Sequence, residues 1–435
     1  MNTQIIDWQT LSSQQKSDAL ARPAIADNAL LSTQVANILA QVQKQGDKAL
    51  IKLTEQFDGI TLTNLAVSKA QVEQAKQALT PKRIEAINTA YQQIKTFHSA
   101  QKASDIAVET RPGVNCILKT EPIESVGLYI PAGSAPLPST VLMLGVPAQL
   151  AGCNRAVLVC PPDKTGQLAN EILVAADLCG IEEIYTVGGA QAVAALAYGT
   201  ETIKPVNKVF GPGNRYVTEA KKQLSQQVAG FAIDMPAGPS ELLIIGDSKA
   251  NAAFIAADLL SQAEHGSDSQ VILLTDSEAL IQNVADELTK QVALLSRKDI
   301  ALQALKQSRL ILTNDLAQAA QVSNAYGPEH LIIQTENAEQ LLSSLRNAGS
   351  IFVGAYTPES AGDYASGTNH VLPTYGYSKV IGSLSLADFS RRYTVQKLTK
   401  QGLASLAECI IELTDAEGLD AHQRAVTIRL EEGAC

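Results

Sequence analysis

The chain has 435 residues, of which 46% are hydrophobic, 18% charged and only 4% aromatic, a profile that excludes disorder, collagen-like repeats and a small disulfide scaffold. At roughly 150 residues per domain the length predicts two to three domains, each with its own core. The 34 Lys and Arg against 44 Asp and Glu leave a formal charge of −10, which argues against nucleic acid as a partner and suits a cationic small molecule.

The first ten residues lack the basic start and apolar run of a signal peptide, and no run of 18 apolar residues occurs. The expectation is a soluble, cytoplasmic protein without a membrane segment. Six cysteines (Cys116, Cys153, Cys160, Cys179, Cys409 and Cys435) are scattered without CxxC spacing, so reduced, unactivated thiols are expected.

In chain order, the first 105 residues read as helical. Val35, Ile38, Leu39 and Val42 recur at the spacing of one buried helix face. Asp47 is expected to cap a second helix, and Thr80-Pro81 to start a third, carrying Ile84, Ile87, Tyr91, Ile94 and His98 on one stripe. From about residue 115 short β-branched runs alternate with helical segments, the rhythm of a parallel sheet with crossover helices. Strands are predicted at 126–130, 156–160, 184–187 and 208–210, with helices near 139–151, 167–179 and 190–198. A second series follows, with strands at 242–245, 271–275, 310–313, 331–334 and 351–353 and helices near 249–265, 277–294, 315–325 and 337–347. The fold class is therefore α/β: two Rossmann-like, incomplete and duplicated parallel-sheet domains, with N-terminal helices and a small helical C-terminal tail. Its expected divisions are 1–110, 111–238, 239–380 and 381–435.

Four of the five histidines lie in the last two fifths of the chain, each beside a carboxylate, an amide or a glycine-rich turn. Gln262 and His265, three apart at the end of a predicted helix, can share a face and ligate a borderline metal such as zinc. On spacing alone a plain helix end, with His265 facing the dipole and Gly266 stopping the helix, is the simpler account. Glu329 and His330 follow Gly327-Pro328 on a rigid turn and offer a general base with a carboxylate that could activate water. Adjacent residues on an extended segment point apart, so both serve one site only if the turn redirects one. The polar loop from Glu359 to His370 contains Asp363, a possible metal ligand, and the tail adds Glu417, Asp420 and His422. Phe210-Gly-Pro-Gly-Asn214-Arg-Tyr216 could hold a phosphate at a helix start, although Tyr216 breaks the GxGxxG pattern. Tyr129-Ile-Pro-Ala-Gly133 could place an aromatic ring at a ligand mouth. Each of these turns is also a plausible structural βα turn.

Together the segments resemble the histidinol dehydrogenase family over nearly the whole chain. The resemblance rests on Tyr129 to Gly133, Val187-Gly-Gly-Ala-Gln191, Phe210 to Asn214, Ile233-Asp-Met-Pro-Ala-Gly-Pro-Ser240-Glu, Ser261-Gln-Ala-Glu-His265-Gly, Gly327-Pro-Glu-His330-Leu, Ser360-Ala-Gly-Asp363-Tyr and Glu417-Gly-Leu-Asp-Ala-His422, in that order. It implies one Zn2+ per subunit on Gln262, His265, Asp363 and His422, with His422 supplied across a homodimer that shares its active sites. It implies Glu329 and His330 as catalytic residues. Substrate contacts are implied at Ser240, Gln262, His265, His330, Asp363, His370, Glu417 and His422, and NAD+ contacts at Tyr129, Gln191 and Asn214. The implied reaction is the four-electron oxidation of L-histidinol to L-histidine through L-histidinal, the last step of histidine biosynthesis. A zinc hydrolase using Glu329 as base, and a two-lobed binding protein of periplasmic type, fit part of the pattern; the first needs no nucleotide and the second calls for an export signal.

Overall fold

The computed structural model describes residues 3–23, 28–132, 136–235 and 238–431. Gly133, Pro236, Ala237 and Cys435, named above, lie outside them. Three sheets organise these residues. The first has five parallel strands in the order Glu183–Thr186, Arg155–Cys160, Ser125–Tyr129, Lys208–Phe210 and Ala232–Ile233. The second has six parallel strands in the order Gln4–Asp7, Arg309–Leu312, Gln270–Thr275, Glu241–Gly246, His330–Gln334 and Ser350–Val353.

Both sheets are covered on both faces, which is why Leu242–Ile245 and Val271–Leu274 read as unbroken apolar runs and are buried throughout. The helices Asn28–Gln45 and Asp47–Asp58 join Gly189–Tyr198 and Arg215–Gln227 over one face of the first sheet; Pro81–Ser99 joins Pro138–Ala151 and Asn170–Leu178 over the other. Thr80 caps the helix Pro81–Ser99 through the Arg83 N–H, as its sequence signal predicts. Asp47 does not cap its helix: it is the first helical residue after Gly46, and its own N–H donates to Glu201 Oε2 at 2.7 Å.

The expected helices and strands of the two parallel series are present, and the differences lie at their margins. Gln4–Asp7 is a strand, inside the segment read as helical, and it pairs with Arg309–Leu312 at the edge of the second sheet. The third sheet is antiparallel and unforeseen: Ile106–Arg111 and Ser390–Leu398 flank Val114–Pro122. A helix at Lys298–Lys306 was also not anticipated, and the helix near 337–347 shortens to Ala338–Leu341 with one 3-10 turn. The C-terminal tail carries the strand Ser390–Leu398 before its two helices, Lys400–Glu417 and Asp420–Leu430. That helical hairpin buries little of itself, and Leu413, Leu419 and Ile428 stay exposed along it. No helix among the described residues is long and apolar enough to cross a membrane.

Strand order locates the crevice. After Ser125–Tyr129 the first sheet grows outward through Arg155–Cys160, and the chain then returns to the opposite side of Ser125–Tyr129 with Lys208–Phe210. The reversal opens a gap beyond the carboxyl ends of these two strands, the usual ligand position in open parallel sheets.

Candidate active site

Gly211 follows the strand Lys208–Phe210 with φ +120°, and a Cβ there would lie 2.1 Å from the Tyr129 carbonyl oxygen; only glycine fits this approach. Its N–H donates to Asp234 Oδ2 at 2.7 Å and its carbonyl accepts from Lys221 Nζ at 2.9 Å, with Lys221 and Asp234 paired and buried beneath the turn. Gly211, Pro212 and Asp234 form one wall of a cleft, and Ser240, Glu329, His370 and Thr374 contribute to the other. The carboxyl edge of the first sheet thus faces the amino edge of the second, where Ser240 precedes Glu241–Gly246 and Glu329 precedes His330–Gln334.

Glu329 stands just ahead of its strand, after the left-handed Gly327 (φ +67°) and Pro328. The turn redirects it, so that Glu329 Oε2 lies 3.6 Å from His330 Nδ1 although the two are sequence neighbours. The main chain of one residue, Glu241, holds both. The Glu241 N–H donates to Glu329 Oε2 at 2.8 Å, and His330 Nδ1 lies 3.1 Å from the Glu241 carbonyl oxygen, to which it can donate. The His330 Nε2 then faces Asp363 Oδ1 at 3.7 Å and has no hydrogen-bond partner.

The loop after Gly354 is not structureless: Glu359–Tyr364 forms a short helix that puts Glu359 and Asp363, four apart, on one side. The helix Ala252–Ala263 ends earlier than expected, so His265 sits just beyond its end rather than on it. Ligand atoms of His265, Glu359 and Asp363 lie within 4.8 Å of one another. Nearby, Gln262 Oε1 and Glu359 Oε2 are buried without a partner. One imidazole nitrogen, two carboxylates and an orphaned amide oxygen form a donor set that fits a zinc-like cation. His370 donates from Nδ1 to the Asp363 carbonyl at 2.9 Å and approaches Thr140 Oγ1 at 3.4 Å through Nε2. Its neighbour Asn369 is tied to Met143 O at 2.7 Å and to His98, the buried histidine on the apolar stripe.

Burial raises the Glu329 carboxyl to about 8. Burial opposes charge on His330, yet the carboxylates of Glu359, Glu329 and Asp363 outweigh it and raise the ring to about 10. Burial also pushes Glu359 up.

The remaining expected residues are placed differently. Tyr129 is not at a ligand mouth: it is 3% exposed and its hydroxyl accepts from the Gly189 N–H at 3.1 Å. Gln191 is buried beside the same turn. Asn214 is exposed and caps the helix Arg215–Gln227 by accepting from the Tyr216 and Val217 N–H groups, which takes two of the donors a phosphate would use. Glu417 and His422 lie exposed on the two C-terminal helices, outside the group formed by His265, Glu359 and Asp363.

A sequence model for the family described as histidinol dehydrogenase matches residues 21–430. A histidinol dehydrogenase of Colwellia psychrerythraea (strain 34H) is 82% identical over 434 residues, covering 100% of both chains. One of Vibrio vulnificus (strain YJ016) is 57% identical, covering 98% of this chain and 97% of its own. The chain belongs to the histidinol dehydrogenase family. The crystal structure of histidinol dehydrogenase from Elizabethkingia anophelis superposes with a TM-score of 0.94 at 46% identity, covering 99% of this chain and 98% of that one.

As expected for a member of this dehydrogenase family whose thiols have no assigned task, burial pushes Cys153 up to about 11 and Cys160 and Cys179 up to about 12. The structure adds residues with no assigned part in the sequence reading. Glu359 joins the cation group, a signal available in its four-residue spacing from Asp363. Asp258, one turn before Gln262, is 7% exposed and accepts from Gln334 Nε2 at 2.9 Å. Burial raises its carboxyl to about 7 despite that bond. A raised carboxyl keeps a proton in the folded chain that the unfolded chain has lost. Between about pH 4 and 7 stability therefore falls as pH rises, and above 7 the full cost, on the order of a few kcal/mol, is present. Asp258→Asn keeps the acceptor for Gln334 and removes the titration; it should flatten the decline in Tm between pH 5 and 7 and raise Tm at pH 8, measured by thermal denaturation in chelator.

Proposed function

We propose that this chain oxidises L-histidinol to L-histidine through L-histidinal, passing two hydrides in succession to NAD+, with one zinc ion per subunit, as a cytoplasmic homodimer. The observation that carries this reading is the Glu329–His330 pair, held by the main chain of Glu241, with Glu329 lining the cleft and His330 3.7 Å from Asp363 of the cation-binding group.

His330 supplies the base at Nε2. Its Nδ1 is engaged by the Glu241 carbonyl, so the proton of the substrate alcohol goes to the unpartnered nitrogen that faces Asp363. Loss of that proton and of a hydride from the carbinol carbon leaves the aldehyde. Glu329, fixed through Oε2, takes a proton from the water that adds to the aldehyde carbon while His330 returns its proton to the aldehyde oxygen, which leaves His330 free to deprotonate the resulting hydrate as the second hydride passes to NAD+. Gln262, His265, Glu359 and Asp363 would hold the zinc in this chain, which when bound supplies a Lewis acid that orients the substrate's nitrogen atoms. Ser240 and His370 line the cleft as substrate contacts. Tyr129, Gln191 and Asn214 flank the carboxyl edge of the first sheet, the side on which the nucleotide is proposed to bind.

Glu417 and His422 complete the site from the partner subunit. Their exposure on a C-terminal hairpin with uncovered Leu413, Leu419 and Ile428 supports this, since such faces mark association surfaces. The test of the function is NADH formation from L-histidinol, with two NADH per histidine produced; a hydrolase would yield none. The test of sharing mixes two inactive variants, His422→Ala and His330→Asn. Each heterodimer should regain one complete site of two, about half the activity of a wild-type dimer, and confirmed heterodimers with no recovery would exclude sharing.

A further inference from the structure

The main chain of Glu241, which holds Glu329 and His330, is itself fixed from the far N-terminus. Arg22 forks onto the Glu241 carboxylate through Nε and Nη2, the second bond at 2.9 Å. The same Nη2 reaches the carbonyl oxygens of Tyr326 and Gly327, each at 3.1 Å, and the guanidinium lies 4.0 Å from the centre of the Tyr326 ring. Glu241 Oε1 also accepts from the Tyr375 N–H at 2.9 Å, at a residue with φ +56°, and the Tyr375 hydroxyl returns to Pro23 O at 2.9 Å. Arg22 therefore grips both strands that enter the site: Glu241 on one, and the turn two residues before Glu329 on the other. Neither Arg22 nor Glu241 directs a charged atom at the cleft.

We propose that Arg22 is a positioning residue for the oxidation chemistry, acting through the Glu241 side chain to fix that residue's main chain, whose N–H and carbonyl aim Glu329 and His330. The proposal rests on the functional reading above. Only the planar fork of arginine can span both carboxylate oxygens and the two carbonyls at once, so lysine is a partial replacement. Displacing a catalytic group by about 1 Å can cost about 100-fold in rate.

The test uses full-length, zinc-loaded protein carrying Arg22→Met or Arg22→Lys. With L-histidinol deuterated at the carbinol carbon, Arg22→Met should lower kcat about 10- to 100-fold, leave both KM values within about threefold, and enlarge the primary isotope effect on kcat as the chemical step becomes limiting. Arg22→Lys should fall between it and the wild type, and it keeps the proposal testable if the methionine variant fails to fold. Independently of any substrate, hydrogen exchange at the Glu241 amide, whose partner is Glu329, should quicken at least tenfold in either variant. Folded variants with wild-type kcat, a lower kcat with an unchanged isotope effect, or an unchanged Glu241 exchange rate would each overturn the proposal. If the wild type makes no NADH from L-histidinol, the functional reading fails, and the amide exchange still decides whether Arg22 fixes the pair.

Discussion

His330→Asn should lower kcat for L-histidinol by about 10²- to 10⁴-fold, the range a positioned acid–base group contributes, while bound zinc stays at its wild-type content. Asparagine is the informative replacement because its amide nitrogen can reproduce the donor that His330 Nδ1 offers to the Glu241 carbonyl. What it lacks is an acceptor where Nε2 now faces Asp363. Packing around a residue that is 4% exposed is then largely preserved, and the loss reports the missing proton acceptor. Steady-state kinetics with metal analysis of the same sample checks it; turnover near the wild-type rate would remove His330 from the role of base.

Removing the metal should lower NADH production at least 100-fold and destabilise the fold, with both restored by added zinc. His265, Glu359 and Asp363 gather two carboxylates and an imidazole within 4.8 Å, and the third carboxyl, Glu329, lies 3.6 Å from His330. Without a cation these groups settle their charge by holding protons, and His330 is kept protonated and unable to accept another. A ligand present at 100 times its Kd adds about 2.7 kcal/mol to the folded state. Chelation followed by dialysis should therefore lower Tm by several degrees. Activity that survives verified metal removal would exclude a zinc requirement.

Residues that carry their own pattern were legible in the sequence. Leu242–Ile245 and Val271–Leu274 announce buried parallel strands because both faces are covered, and the apolar stripe of Asn28–Gln45 announces a helix lying on a sheet. Ile106–Arg111 left no such trace, since all of its residues are exposed and no buried face imposes alternation. In Gln4–Asp7 only Ile6 is buried, too little to mark a strand. The site divides in the same way. Glu329 and His330 stand together in the chain, and glycine and proline beside them flag a turn. Arg22 and Glu241 are 219 positions apart, and each looks locally like any surface charge; only the folded chain shows that Glu241 is buried and Arg22 half-buried against it. Tyr129 was misplaced for the converse reason: an aromatic residue at a strand end suggests a ligand platform, but its ring fills the core between sheet and helix.

The strand Gln4–Asp7 sets an order on how the molecule can be completed during synthesis. It is made first, yet its partner Arg309–Leu312 follows about 305 positions later, a delay of roughly 15 to 60 s at 5 to 20 residues per second. Meanwhile the residues from 28 onward can already settle on the first sheet. The leading segment, with Arg22 at its end, must wait unpaired on the growing chain until the second sheet exists. The clasp on Glu241 is thus a late event, and a nascent chain interrupted before residue 309 would carry the first sheet beside a second that still lacks Arg309–Leu312, His330–Gln334 and Ser350–Val353, with Glu329 and His330 not yet made.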